Sequence, residues 1–393
     1  MTARAAPPKK RDWSLRSRAV RGLLYQVLAL GLIALGVWFL AHNTLQNMRV
    51  RGIQSGFDFL TGPAGFDIGE LMIPYESLDP YWKAFLVGVL NTLRVAIIGI
   101  VLTTLLGTLI GVGRFAHNAI VRGLCYGYVE LFRNIPVLLQ LLMWYLLLTE
   151  WLPDPGEPMQ LAGLVFLSKG GLSFPLPVWQ AGQALAGAGA LAGAVLAWAW
   201  SRSARKHFEL TGKPRPVLLP ALGLVIAGAL VGWSLGGAPG DWNLPKSGDV
   251  SVEGGGSFTP EFISVLLGLS FYTASFVAEV VRAGIASVPR GQSEAAGALG
   301  LSRGQQMRLV VLPQALRVII PPMTNQFLNL TKNSSLAVAI GYPDVVSISN
   351  TAINQTGRAV ECIAIIMAVY LTTSLTTSGL MNAYNTRSAI KER

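Results

Sequence analysis

The chain has 393 residues, of which 52% are hydrophobic and 13% charged, and its 31 Lys and Arg exceed its 20 Asp and Glu to give a net charge of +11. That charged share is about half the share usual in soluble domains, which excludes an ordinary water-exposed globular surface. The basic residues sit in short segments between apolar runs and form no single compact basic face, so the charge points to a membrane surface and away from nucleic acid.

Residues 1–21 form a basic tail, and no small-residue cleavage site follows the apolar run beyond it, so a retained segment is expected and not a cleaved signal. Eight runs are long and apolar enough to cross a bilayer, near 22–42, 84–113, 125–150, 182–200, 217–236, 260–284, 315–340 and 357–384. The fourth is rich in Ala and Gly, which suits close helix packing in lipid. Trp82, Trp151, Trp179, Trp198, Trp200 and Trp242 fall near predicted span ends, as interfacial aromatics do. Segments 43–80 and 237–259 are rich in Gly, Pro and Asp and read as partly disordered loops. With every run crossing and the N-terminus in the cytoplasm, the cytoplasmic segments hold 22 Lys and Arg and the external ones 5. The positive-inside rule therefore places both termini, 201–216 and 282–317 in the cytoplasm.

Catalytic chemistry is hard to assemble from this chain. His42, His117 and His207 are far apart at span ends or in loops, a pattern unsuited to a metal site. Cys125 and Cys362 fall near span ends on opposite sides, which argues for burial as small hydrophobes and against a disulfide. No GxSxG, HExxH or CxxC motif occurs, and the nearest approach to a phosphate-binding loop, Gly212-Lys213, is followed by Pro214. No catalytic residue, metal or cofactor is expected, and any ATP would be bound by another chain.

The polar residues inside the spans are therefore the site candidates. Glu130 with Arg133, Glu279 with Arg282, and Arg358 with Glu361 are each three apart, a spacing that lets each couple meet on one helix face. Arg94 lies within the second run beside Asn91 and Thr92. Lys332, Asn333, Ser334 and Ser335 interrupt the seventh run without a local acidic partner. Such a break either lines a substrate route or hinges the helix for gating. In the first case Lys332, Arg94 or a freed helix N-terminus would meet an anionic group of the cargo, and Glu361 or backbone carbonyls a cationic one. Asn333 and Ser334 complete this candidate pathway.

The hydrophilic stretch between the sixth and seventh runs, about 291–313, carries helix punctuation. Ser293 is placed to cap a short helix opening at Glu294, with Gly300 as its stop. Ser302 with Gln305 makes a capping box for a second helix that Pro313 limits. Ala295, Ala296 and Ala298 would give this bent helix pair a low-relief docking surface. Glu294-Ala295-Ala296, Gly300 and Leu312-Pro313 resemble the EAA loop of ABC-importer permeases. The flanks TASFVAEVVRAGIASVPRGQ, LPQALRVIIPPMTNQFLNLTKNSSL and ELFRNIPVLLQL resemble the polar amino-acid branch of that family, which includes histidine- and glutamine-type permeases. The insert near 151–257 and the extra first span are most similar to general L-amino-acid transporter permease subunits.

The resemblance implies an all-α polytopic membrane protein with about eight spans: a five-helix type I ABC permease core, an extra N-terminal span and a two-span insert. The expected divisions are a basic tail over 1–21, the extra span and an external loop over 22–83, two core spans over 84–150, the insert over 151–257, three core spans with the coupling loop over 258–385, and a tail over 386–393. The implied activity is import of L-amino acids across a bacterial inner membrane, as a non-enzymatic transport subunit. The implied partners are a homologous second permease, two cytoplasmic ATPase subunits that bind the ATP, and a periplasmic amino-acid-binding protein. Glu294, Ala295, Ala296, Gly300, Ser302, Gln305 and Pro313 would form the surface coupled to the ATPase. An ion-coupled secondary carrier is the alternative, and it would need no docking loop.

Overall fold

The computed structural model describes residues 18–388 apart from 51, 53, 54, 214 and 249. Most of the basic N-terminal tail and the end of the C-terminal tail lie outside the described residues. In chain order the helices are α1 Arg18–Val50, α2 Tyr81–Gly113, α3 Ala119–Asn134, α4 Val137–Glu150, α5 Ala181–Thr211, α6 Leu218–Leu235, α7 Pro260–Ala286, α8 Arg290–Ala298, α9 Arg303–Gln306, α10 Leu312–Asn333, α11 Val345–Thr356 and α12 Ala359–Ser388. Among the described residues six helices are long and apolar enough to cross a membrane, or up to eight spans if each of two bent helix pairs counts as one. The chain divides into two units, one from residues up to Asn91 with Pro343–Thr376, the other from Thr92–Tyr342 with the residues after Thr376.

In the first unit, the segment expected to be a loop after α1 is packed. Phe59, Ala64, Ile68 and Tyr75 are buried in one cluster with Tyr81 and Phe85 of α2 and with Val345, Ile348 and Ala352 of α11. Tyr75 Oη donates to Phe66 O at 3.0 Å. Asn91 Nδ2 donates to the carbonyls of Glu70 and Pro343, each at 3.0 Å. The segment is a loop, as expected, apart from the 3-10 turn Asp58–Thr61, but the expected disorder is absent because its apolar side chains, which follow neither a helical nor a strand period, pack by tertiary contact. Gly88 lets α11 approach, since a Cβ there would stand 3.0 Å from Val345 Cα.

In the second unit, the run at 125–150 is not one straight span. It is α3 and α4, inclined at 106° across Ile135 and Pro136. Pro136 disfavours helical backbone at Ile135 and has no N–H for the Phe132 carbonyl four residues back. The buried Gln140 supplies it: its Nε2 donates to Phe132 O and to Ile135 O, both at 2.9 Å. The insert also differs from expectation outside its helices. Met159–Leu161, Val165–Ser168, Gly171–Phe174 and Gly256–Phe258 form a four-stranded antiparallel sheet, with Phe166 opposite Ser173 and Leu172 opposite Phe258. Two-residue ladders pair Leu176–Pro177 with Trp242–Asn243 and Lys246–Ser247 with Val252–Glu253. These strands are too short to show an alternation in sequence, and several pair across the two intervening helices.

Glycine sets the helix spacing in this unit. On α5 and α6, a Cβ at Gly193 would press on Leu224 and Val225 backbone, one at Gly228 on Gly189 backbone, and one at Gly232 on Leu185 and Ala186 backbone. The two helices therefore meet backbone to backbone, which is how small residues drive association in lipid. Between α2 and α7, a Cβ at Gly107 would fall 2.9 Å from Ala274 O, and one at Gly111 2.7 Å from Ala278 O. α7 starts at a defined point because Thr259 Oγ1 accepts from Phe262 N at 3.2 Å and Pro260 presets the first turn. Gly228→Leu is expected to force α5 and α6 apart at a cost of about 1–3 kcal/mol or more, lowering the melting temperature of the detergent-solubilised protein. Gly187→Leu serves as the control, because nothing lies within 4 Å of a Cβ there, and it should leave the melting temperature unchanged.

Candidate functional site

The stretch after α7 is built as a stiff double bend. α8 opens at Arg290 behind Pro289, with no side-chain cap, so Ser293 and Glu294 lie inside the helix and not at its start. Nothing between Pro289 and Ser293 interrupts the helix, and the fixed φ of Pro289 leads the chain into it. At the other end Gly300 adopts a left-handed conformation with φ +76°. Gly300 N donates to Gly297 O at 2.9 Å and Leu301 N to Ala296 O at 3.2 Å, the paired closure that satisfies the last helical carbonyls. The Ser302–Gln305 capping box is present in both directions, with Ser302 N to Gln305 Oε1 at 2.9 Å and Gln305 N to Ser302 Oγ at 3.4 Å.

Pro313 does not limit the second helix. α9 passes through one π-helical turn, Met307–Val311, directly into α10, and Leu312 N donates to Met307 O. Pro313 therefore lies inside a continuous helical path, and the wider π-helical turn directly before it relieves the clash of its ring with the preceding carbonyl. The outer surface of α8 also differs from expectation in one residue. Glu294, Ala295 and Ala298 are exposed, but Ala296 is 4% exposed and faces inward. In its place Leu299, at 81% exposed, presents an apolar tip. Glu294 makes no ion pair among the described residues.

Beside this loop stands a charge cluster. The Glu279 carboxylate on α7 receives Arg282 from the same helix, with Nε at 3.1 Å, and also Arg114 just past the end of α2. Arg114 is buried and its guanidinium lies 4.0 Å from the centre of the Tyr126 ring. The local Glu279–Arg282 couple expected from spacing is thus present, with a third member that spacing had no means to reveal. The other two couples take different partners. Glu130 accepts from Asn134 Nδ2, and Arg133 lies over the Phe276 ring at 5.2 Å. Arg358 Nη2 meets Asp58 Oδ2 at 3.1 Å and Glu361 Oε1 accepts from Gly56 N at 2.6 Å, so both are engaged by the 56–58 turn. From the same region, Arg303 of α9 reaches His117 Nε2 at 3.3 Å.

The candidate pathway residues are only partly gathered. A cavity of 300 Å³ between α7 and α10 is lined by Tyr272, Thr273, Phe276, Gln326, Asn329 and Asn333, a volume at the lower end of small-molecule sites, about 300–1,000 Å³. Gln326, Asn329 and Asn333 follow the i, i+3, i+7 spacing of one helix face. Of the five residues named from sequence, Asn333 alone lines it. Lys332 is exposed in the last turn of α10, where a cation offsets the carbonyl end of the helix. Ser334 is buried and its Oγ donates to Thr331 O at 2.7 Å, at the point where α10 tightens into the 3-10 turn Ser334–Ile340. Arg94 lies over the rings of Phe262 and Phe258 at 4.3 and 5.0 Å. Glu361 belongs to the other unit. The amide row at 326, 329 and 333 is legible in the sequence as a polar stripe in an apolar helix.

A multi-pass helical membrane protein with an ordered loop joining two helices and a polar cleft between those same helices has the parts of a transporter's membrane subunit. Residues 218–390 match the family described as binding-protein-dependent transport system inner membrane component. The chain is 45% identical over 385 residues to the general L-amino acid transport system permease protein AapQ of Rhizobium johnstonii, covering 97% of this chain and 96% of that one. It is 44% identical to the putative amino-acid ABC transporter permease protein YhdX of Escherichia coli, covering 98% of each. It is 38% identical to the glutamate/glutamine/aspartate/asparagine transport system permease protein BztB of Rhodobacter capsulatus, covering 95% of each. The chain belongs to the family of ABC-transporter permease subunits that these amino-acid permeases represent. Glu279→Gln removes the counter-charge of two arginines, one of them buried, and is expected to cost about 2–3 kcal/mol from lost charge-assisted hydrogen bonds. A lowered thermal midpoint of the purified protein checks this.

Proposed function

We propose that the protein is one of two permease subunits of an importer that carries L-amino acids across a bacterial inner membrane. ATP hydrolysis on two cytoplasmic ATPase subunits drives it, and a periplasmic binding protein delivers the cargo. The observation that carries the reading is the loop 290–311: fixed by glycine closure at Gly300 and a capping box at Ser302, it exposes Glu294, Ala295 and the bare Leu299 tip and runs without a break into α10. Ordering such a loop is useful where force enters from outside the membrane. The 22-to-5 distribution of Lys and Arg supports a cytoplasmic position for it. The relatives' names support amino acids as the cargo class.

In this reading the amide-lined cleft lies on the substrate route. A zwitterionic amino acid offers acceptors at one end and donors at the other, and an amide side chain supplies both without a fixed charge. Alternating access follows when the ATPases close, displace the loop and re-aim α10, opening the cleft to one side and then the other.

Gly300→Val and Glu294→Lys should abolish amino-acid uptake while the protein still reaches the membrane. The first strains a left-handed residue, and the second inverts the exposed charge of the docking surface. The purified complex should lose ATPase stimulation by loaded binding protein, or lose its ATPase subunits. Near-normal ATP-dependent uptake by both variants would overturn the coupling role. For the cleft, Gln326→Leu and Asn329→Leu each remove a hydrogen bond to a charged cargo group, worth about 1.5–3 kcal/mol, so the concentration for half-maximal uptake should rise about 10- to 100-fold at matched expression. Unchanged uptake kinetics in the double variant would take the cleft out of the route.

A further inference from the structure

α5 outruns its partner helix. The paired stretch ends near Trp200, whose Nε1 donates to Pro216 O at 3.2 Å. α5 continues to Thr211, and Gly212, with φ +66°, turns the chain back toward α6. Between this overhang and the returning segment lies a cavity of 820 Å³ whose lining includes Trp198, Ser201, Arg202, Arg205, Phe208 and Arg215. A second hollow of 610 Å³ shares Trp198, Arg202 and Arg205 and adds Lys206 and the acidic Glu209, so the first, without a carboxylate in its lining, is the better fit for an anion.

Charge and depth together define what fits. Residues 201–216 carry five Lys and Arg against one acidic residue, Glu209. Among the described residues Arg202, Arg205, Lys206 and Arg215 are exposed and make no ion pair. The apolar run 182–200 that precedes them spans about 29 Å at 1.5 Å per residue, about the thickness of a bilayer's hydrocarbon core. Trp198 therefore falls at the interface, with the Arg202 guanidinium stacked 3.9 Å from its ring centre, and the arginines beyond it fall at the level of lipid phosphates. The surface below is apolar and bare: Leu218 and Leu219 of α6 are 72% and 76% exposed, and Val195 of α5 is 64% exposed.

We propose that this cavity holds the phosphate headgroup of an anionic phospholipid from the leaflet on that face, with its acyl chains along the exposed apolar surface of α5 and α6. Arginine forks match phosphate oxygens in pairs, and a basic hollow beside spanning helices suits an anionic headgroup. An acidic protein surface would also be drawn to the charge, but it would not use the apolar flank that continues below the hollow. The inference needs only that α5 and α6 cross a bilayer. It goes beyond transport, and lipid retention is read without any uptake measurement.

The test uses the full-length protein in its assembled complex, in nanodiscs of equal phosphatidylglycerol and phosphatidylcholine, followed by native mass spectrometry of the lipid retained. Phosphatidylglycerol is expected to be retained in preference. Arg202→Gln, Arg205→Gln and Arg215→Gln should each lower that retention about fivefold, and the matching Lys substitutions should keep much of it. Arg215→Gln lies outside the helices and reads the site even if the two variants within α5 do not assemble. Excess glycerol phosphate should not displace the lipid, since it lacks the acyl contacts. Equal retention of both lipids, or retention unchanged in the Gln variants, would overturn the proposal. Full displacement by glycerol phosphate would overturn it in favour of a soluble-anion site. Loss of a partner subunit with lipid retention unchanged would overturn it in favour of an acidic protein surface.

Discussion

Lipid offers no hydrogen bonds, so wherever a spanning helix is interrupted its freed backbone groups must find partners inside the protein. The interruptions in this chain follow that constraint. At Pro136 the carbonyl of Phe132 loses its normal donor, and the Gln140 amide replaces it. At the end of α10 three hydroxyls reach back in succession, Thr331 to Phe327 O, Ser334 to Thr331 O and Ser335 to Lys332 O. At Pro313, in the stretch that the charge bias places outside the bilayer, a single π-helical turn adjusts the ladder so that the helix continues. Each break is fixed in one geometry by a side chain or by a change of helical period. The bends are therefore built-in features of the fold and not points of slack.

Close packing supplies the complementary constraint. Gly107 and Gly111 bring α2 onto the backbone of α7, and Glu279 on α7 then faces Arg114 at the end of α2. The clasp needs the approach, because a side chain at either glycine would press on an α7 carbonyl. α7 thus carries α2 at one point, a wall of the cleft through Tyr272, Thr273 and Phe276, and the start of the loop at its far end.

Much of this was legible in the sequence. The apolar runs gave the long helices, because membrane spans need a length of low polarity that soluble helices rarely show. Gly300 and the Ser302–Gln305 box were readable because their chemistry is local: a left-handed residue and a reciprocal pair of hydrogen bonds each need only a few neighbours. What depended on distant partners was not readable. Spacing suggested that Arg358 and Glu361 pair with each other, but the 56–58 turn engages both. Spacing likewise gave no sign of the 106° bend within 125–150, because Pro136 is compatible with either a kink or a full turn until its neighbours are known. The packed segment around Phe59 and Tyr75 was invisible for the same reason: it has no period, only tertiary contacts.

The connection from loop to cleft also explains why neutral amides line the cavity. α10 runs from the π-helical turn to Asn333, 22 residues and about 33 Å at 1.5 Å per residue. Gln326, Asn329 and Asn333 lie on the same helix as Leu312, with Pro321 and Pro322 inside it between them, so a displacement at Leu312 reaches the amide row through a stretch that lacks two ladder hydrogen bonds. A wall that moves between two exposures must release its cargo as well as hold it. A fixed charge in a low-dielectric cleft would bind one end of a zwitterion tightly and would carry its own desolvation cost through every state. Amides make several moderate hydrogen bonds to either end and lose them one at a time as the wall moves. The charges of this region sit instead where their cost is small: Lys332 is exposed at a helix end, and Arg94 lies against two aromatic faces. In the proposed reading, a cleft of amides on the helix that continues from the loop holds its cargo with moderate strength and changes its exposure as that helix moves, as alternating access requires.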